Sequence, residues 1–429
     1  MFRKLTLLFI LVMGFVAASS SSASAATTSP KIYVNGNLLS LTSQPIVRNG
    51  TTFIPVRQVA EALGLTVVFN SSTNTITFKH PYRSTKVYHK IGSDSVYAAG
   101  SNHIVKYKML QANSVEYSGV TYVPIRLFEA FDATVFWDGG KNSIYIYSYE
   151  LKQLQAVTFA NLSYDNLYSL GEGKDLKDVN FNKLKHINSD FKKVQKYLHI
   201  YNRDVNDVSI TTDKFLKNYV RLGEWELKAF LSRSDFATKS EYDAMINSGF
   251  QGYAFRNYKT NEFMITFTGT QSNDDADTET DKKILFKRSN QQKQYAFKLF
   301  QKVTSKYNKP TIYLTGHSLG GNLVEATAAN FPNNYKQAFT FNSFGTNNYS
   351  NSTKVVSSSI DTDPVSRLYA HYGRVFYFKV RHYEDDFNVA AHKLFNFYGY
   401  YLLPNTKYWN NSDFGIPYVY GKPNYLWTY

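Results

Sequence analysis

Thr311-Ile312-Tyr313-Leu314-Thr315-Gly316-His317-Ser318-Leu319-Gly320-Gly321 is the stretch on which the reading of this 429-residue chain turns. Ile312, Tyr313 and Leu314 form a short apolar strand, and after the glycines Val324, Ala328 and Phe331 recur at helical spacing. Between strand and helix lies Gly-x-Ser-x-Gly, which has chemical meaning only in that setting, because the serine must sit on a strained turn that lifts its hydroxyl above the sheet. Gly316 and Gly320 are required there: side chains would collide across the tight turn, and glycine accepts unusual backbone angles. The pattern predicts that Ser318 is a nucleophile.

A serine hydroxyl is a poor nucleophile at neutral pH, so a histidine must take its proton and a carboxylate must orient that histidine. The strand, turn and helix resemble those of the α/β-hydrolases, which implies the chain order Ser, then Asp, then His. Downstream of Ser318 the acids include Asp361, Asp363, Glu384, Asp385 and Asp386, and the histidines are His371, His382 and His392. Asp363 is preferred, since Asp363-Pro364-Val365 follows an apolar strand carrying Val355, Val356 and Ile360, where a turn would expose the acid at the sheet edge. His392 is preferred as the base, since it follows a strand and a polar loop and then opens an apolar helix with Leu394 and Phe395. Against these stand plainer readings: Asp363 as a helix cap, His371 or His382 as strand-edge or surface residues. His382 is the rival base.

Around the motif, short strand patterns at 252–256, 263–267, 311–315, 338–341 and 374–380 alternate with helical ones, among them 289–307, the signature of an α/β sheet domain. Upstream, Phe181, Leu184, Ile187, Phe191, Val194, Leu198 and Tyr201 recur at helical spacing opposite Lys183, Lys185, Lys192, Lys193 and Lys196. That basic amphipathic helix suits an anionic membrane, but packing on a core with a solvated lysine face predicts the same pattern and is favoured. The run Asp274, Asp275, Asp277, Glu279, Asp281 lacks the glycine and terminal glutamate of a calcium loop, with Thr280 and Phe286 in their places, and reads as a solvated loop or lid.

Residues 31–148 hold an imperfect repeat. Gly50-Thr51-Thr52-Phe53-Ile54-Pro55-Val56-Arg57 aligns with Gly119-Val120-Thr121-Tyr122-Val123-Pro124-Ile125-Arg126, and each copy continues as helix, strand, polar turn and strand. Two such units sharing a core make a small α+β domain. The first copy resembles the secreted stalk domain also called the copper amine oxidase N-terminal-like domain. The second departs from it, with a helix one residue shorter and Asp132 where the first has Gly64. The resemblance implies a surface-presentation or wall-association module. No copper is expected, since His80, His89 and His103 lack a shared ligand spacing.

Arg3 and Lys4 before an apolar run at 5–16 and Ala23-Ser24-Ala25 predict a signal peptide over 1–26 and a secreted, extracellular chain, with surface association as a further option. The run is shorter than the roughly 20 residues of a spanning helix, and the mature chain is expected to have no transmembrane segment. Zero cysteines exclude disulfides, thiol catalysis and a lipoprotein anchor. A formal charge of +15, two units of it from Arg3 and Lys4, favours anionic lipid or cell-wall polymer as a peripheral contact, and export argues against nucleic acid. The aromatic share of 17%, with 35 tyrosines, suits a β surface first and an interface second.

A second resemblance rests on "GFQGYAFRNYKTNEFMITFTGTQS", "IYLTGHSLGGNLVEATA", "FTFNSFG" and "DTDPVSRL", which look like the class 3 lipases and related lipase-like α/β-hydrolases. It sets the expected domains at 31–148 (stalk) and 153–429 (hydrolase). It implies Ser318 as nucleophile, Asp363 as orienting acid and His392 as base, with an oxyanion hole from the backbone N–H groups of Leu319 and Thr270. Thr268 departs from the family's arginine and Phe344 from a common proline. The expected activity is hydrolysis of carboxylic esters, lipid esters such as triacylglycerol or phospholipid included, through an acyl-enzyme with no cofactor or metal. The alternative is a wall-polymer-binding protein on a silent hydrolase scaffold.

Overall fold

The structure is a computed structural model that describes residues 29–79, 86–99, 104–201, 211–270, 279–350, 352–360, 363–378, 392–394 and 397–398. The expected signal peptide, Asp274, Asp275, Asp277, Asp361, His382, Glu384, Asp385 and Asp386 lie outside the described residues.

The N-terminal region is β-rich. In chain order it contains β1 (Lys31–Val34), β2 (Asn37–Leu38), β3 (Ile46–Arg48), β4 (Thr51–Pro55), α1 (Val56–Ala62), β5 (Thr66–Asn70), β6 (Thr75–Lys79), β7 (Lys86–Lys90), β8 (Ser95–Ala99), β9 (Ile104–Met109), β10 (Val115–Tyr117), β11 (Val120–Pro124), a 3-10 helix (Ile125–Phe131), β12 (Thr134–Asp138) and β13 (Ser143–Tyr147). Three sheets result, ordered β12-β13-β1-β2, β10-β11-β4-β3 and β5-β6-β7-β8-β9. The hairpins β3–β4 and β10–β11 turn through Asn49-Gly50 (φ 48° and 72°) and Ser118-Gly119 (φ 51° and 73°). Two successive positive φ values match the right-handed twist of the strands they join. Where the helix after β4 is closed by Gly64 at φ 79°, the 3-10 helix after β11 is closed by Asp132 at φ 57°, a residue type whose short polar side chain tolerates that conformation. Ile54, Val59, Phe78, Val123, Phe128 and Ile146 meet in one core beneath these sheets.

Ser148 then caps α2 (Tyr149–Leu162), its Oγ accepting from the Leu151 N–H at 3.2 Å. Beyond it come β14 (Lys174–Asp175), α3 (Lys185–Tyr201), α4 (Thr212–Asn218), β15 (Trp225–Phe230), α5 (Lys239–Asn247), β16 (Gly252–Asn257), β17 (Glu262–Phe267), α6 (Glu279–Lys306), β18 (Thr311–His317), α7 (Leu319–Asn330), β19 (Gln337–Phe341), β20 (Val355–Ile360) and β21 (Arg374–Phe378). β14 to β21 form one eight-stranded sheet in sequence order, antiparallel from β14 to β17 and parallel from β17 to β21. Strand alternation splits the core in two. Tyr313 faces α2 with Phe159 and Met264, while Ile312 and Leu314 face α6 and α7 with Leu299 and Val324. Covered on both faces, β17 and β18 read as continuous apolar runs.

α6 starts ten residues before the expected helix, and its extra turns begin at Glu279, where acidic residue types suit the positive end of a helix dipole. The basic helix α3 starts at Lys185, preceded by a separate 3-10 turn, Phe181–Lys183. Ile187 and Phe191 are buried in the main core, and Lys185, Lys192 and Lys193 are exposed. The two regions of the chain meet over buried ions. Glu262 in β17 accepts from Lys152 Nζ (2.7 Å), Tyr313 Oη (3.2 Å) and Thr134 Oγ1 of β12 (3.0 Å). Glu224 accepts from Tyr147 Oη of β13 at 2.8 Å.

Candidate active site

β18 runs between β17 and β19, with Gly316 opposite Phe267 and Thr340, so the turn after it emerges at the middle of the sheet. Ser318 occupies that turn alone, at φ 56° and ψ −122°, before α7 begins at Leu319. A non-glycine residue at such angles is strained by about 1–3 kcal/mol and persists only when its surroundings dictate it. They do. A Cβ on Gly316 would fall 2.4 Å from the Gly320 carbonyl oxygen, one on Gly320 2.0 Å from the Phe267 carbonyl oxygen, and one on Gly321 2.7 Å from Ser343 Cβ. The Ser318 N–H donates to the Phe341 carbonyl at 3.0 Å, which fixes the serine against β19. The Leu319 N–H belongs to the first turn of α7, where amides lack intrahelical acceptors and the dipole favours negative charge.

Asp363 follows β20 and is 1% exposed. Its Oδ1 accepts from Val365 N–H (3.2 Å) and its Oδ2 from Ser366 N–H (3.1 Å), so it does cap the 3-10 turn Val365–Arg367. The same carboxylate meets His392 Nδ1 at 3.0 Å. The cap holds the acid rigid, and the acid holds the imidazole. Among the described residues no hydrogen bond joins Ser318 Oγ to His392. The His392 ring lies 4.7 Å from that of His317, the residue beside the serine.

On the other side of the serine is the loop after β17. Thr268 donates its hydroxyl to the Ser163 carbonyl at 2.8 Å and its N–H to the Gln251 carbonyl at 3.0 Å, so threonine anchors this loop directly to the end of α2. Among the described residues Thr270 Oγ1 is buried without a hydrogen-bond partner. Phe344 is fully buried against Leu319, Val365 and Tyr369, so an aromatic side chain packs the strand end between the serine and acid loops.

His371 departs from the strand-edge or surface placement. It is 7% exposed, its Nδ1 meets Glu325 Oε1 of α7 at 2.8 Å and its Nε2 the Ser366 carbonyl at 2.9 Å. Burial pulls this imidazole toward neutrality, but the Glu325 carboxylate and the Ser366 carbonyl outweigh it and hold its pKa above the ordinary value. Both nitrogens are thus occupied, Nδ1 by α7 and Nε2 by the turn that follows Asp363. Sequence reasoning missed two more polar residues at the site, Tyr164 and His317, whose side chains meet at 2.7 Å. Among the described residues no group of three or more His, Asp or Glu side chains is placed to hold a metal ion, and no helix is long and apolar enough to cross a membrane.

Comparison with known proteins adds two domain matches. Residues 33–146 match the copper amine oxidase N-terminal domain, and residues 200–373, which contain Ser318 and Asp363, match the Tle-like phospholipase domain. No curated protein matches the chain. Similar solved structures include a mutant form of MDLA from Penicillium cyclopium, 14% identical, TM-score 0.32, covering 57% of this chain and 85% of that one. Others are a fungal lipase at 15% identity and TM-score 0.34 (57% and 85%), and lipase II from Rhizopus niveus at 15% and 0.31 (57% and 84%). The chain thus resembles a copper amine oxidase N-terminal domain followed by a lipase-like domain of phospholipase type.

Proposed function

We propose that this protein is a secreted serine hydrolase that cleaves carboxylic esters of lipids, triacylglycerol or phospholipid acyl chains, through an acyl-enzyme. The observation that carries the reading is Ser318 held at φ 56° on the strand-to-helix turn with the Asp363–His392 pair beside it. Ser318 Oγ attacks the ester carbonyl, and His392 takes its proton and passes it to the leaving alcohol. The Leu319 and Thr270 N–H groups, joined by the unpartnered Thr270 hydroxyl, stabilise the tetrahedral oxyanion, by about 3 kcal/mol for one such donor. A water activated by His392 then releases the acid. The order of the large sheet and the site at the C-terminal ends of its parallel strands support an α/β-hydrolase domain over 153–429. The matching element order around β4 and β11 supports a two-repeat stalk over 31–148. The phospholipase-type match favours lipid esters over small soluble ones.

A fluorophosphonate probe tests the chemistry: the protein should label, and Ser318→Ala should not. Absence of labelling in the native protein would point to a silent scaffold. Glycerides and phospholipids of graded acyl length, assayed on the same preparation, would set the substrate, and finding the mature N-terminus near Ala26 in culture medium would test export.

A further inference from the structure

We propose that His317 is a positioning residue for His392, and that with Tyr164, which packs on the oxyanion loop, it forms a relay of hydrogen bonds holding the nucleophile turn and the base in register. The inference rests on the serine-hydrolase reading above. His317 is the x of Gly-x-Ser, the last residue of β18, and is 6% exposed. Its Nδ1 meets Tyr164 Oη at 2.7 Å and its Nε2 meets the main-chain carbonyl of His392 at 2.7 Å.

The chemistry of the partners fixes the direction of each bond. Burial foremost, and then the nearby His392, hold the His317 imidazole neutral, with one donor nitrogen and one acceptor. A carbonyl only accepts, so the proton is on Nε2. Nδ1 is therefore the acceptor, and the Tyr164 hydroxyl donates to it. Burial keeps that phenol protonated. The chain runs from Tyr164 Oη–H to His317 Nδ1, then from His317 Nε2–H to the His392 carbonyl, with Tyr164 Oη packed on Gly269 of the loop after β17.

This relay joins the parts that must be aligned for acyl transfer. Gly269 lies next to Thr270, and Tyr164 fits so closely over it that a Cβ at 269 would come 2.1 Å from Tyr164 Oη. His317 is bonded to Ser318 through the peptide. His392 is gripped twice, its main chain by His317 and its ring by Asp363 at 3.0 Å. Asp363 alone leaves the imidazole free to swing about the Nδ1 contact; a second point on the backbone removes that freedom. A strand-ending residue needs only to be accommodated by the sheet. One that reaches residue 392 with a directed donor does more than end a strand.

The test compares single-turnover fluorophosphonate labelling and steady-state hydrolysis of p-nitrophenyl butyrate in His317→Leu, His317→Gln and Tyr164→Phe, each alone and in a His392→Ala background. His317→Leu should lower kcat and the labelling rate about 10- to 100-fold with KM little changed, as expected for misplaced catalytic groups. His317→Gln, which keeps an N–H donor, should recover most of the loss, and Tyr164→Phe should show a smaller loss of the same kind. With His392 already removed, His317→Leu should have no further effect. An equal fold-loss in both backgrounds, a leucine variant with native rates, or a glutamine variant as impaired as leucine would overturn the proposal. Labelling that survives Ser318→Ala would instead overturn the hydrolase reading; failure of the relay alone leaves Ser318-dependent labelling intact.

Discussion

Gly320→Ala isolates how closely the Ser318 turn is pressed onto the loop after β17, the proposed oxyanion loop. The added Cβ would stand 2.0 Å from the Phe267 carbonyl oxygen, 2.8 Å from its carbon and 3.0 Å from the Thr268 carbonyl carbon. All three are main-chain atoms, so no side chain can swing aside. Phe267 is held by pairing with Gly252 on one side and Gly316 on the other. Opening the nearest contact to a tolerable distance requires α7 and the end of β17 to part by about 1 Å, a displacement that can cost about 100-fold in rate when it falls on catalytic groups. The overpacking itself should destabilise the fold by about 1–3 kcal/mol, or about 2–4 °C in Tm for each kcal/mol. The assay is the fluorophosphonate labelling rate beside a thermal melt, with Gly223→Ala as control, since its nearest neighbours are lysine aliphatic carbons at 3.8 Å. The control should match the native protein. A Gly320→Ala protein with native labelling and native Tm would refute the claim that this contact sets the site.

Asp363→Asn should lower kcat by about 10⁴-fold with the fold intact, because the amide cannot accept at both the His392 and Ser366 positions as the carboxylate does, and the imidazole loses its tautomer; steady-state kinetics beside a melt would check it. His371 carries a raised pKa in the folded state, so its contribution to stability is complete below about pH 6.5 and is lost as pH rises through the higher folded value. Urea unfolding at pH 6 and pH 9 should show a fall in native stability that is absent in His371→Gln. Glu262→Ala removes the partner of Lys152, whose side chain is 6% exposed, and should cost about 3–5 kcal/mol in urea unfolding. Adding Lys152→Met should recover part of that, because the stranded charge is then gone.

What was legible in the sequence depended on whether its cause was local. The elbow could be read because glycine at 316 and 320 answers a steric demand made within a few residues, and the same atoms make that demand in the structure. Asp363 could be read from the strand end before it, and His392 from its place after a strand, without knowing that they would meet. α2 was hard to read for the opposite reason: it is buried on nearly every side between sheet and α3, so it carries no apolar stripe to give away its period. Glu325 falls in a helix that its apolar spacing marks, and its partner is His371, far along the chain. Tyr164 and His317 are 153 positions apart, and nothing in either neighbourhood marks them as a pair. Only chemistry gives a hint, since a histidine in the x position of Gly-x-Ser puts a titratable ring where an apolar residue would fill the space. A buried imidazole must be hydrogen-bonded or it destabilises the turn it occupies. Applied to His317, that requirement asks for a donor and an acceptor near Ser318, and the two that meet it come from distant segments of the chain, the Tyr164 hydroxyl after α2 and the main-chain carbonyl of His392, the proposed base.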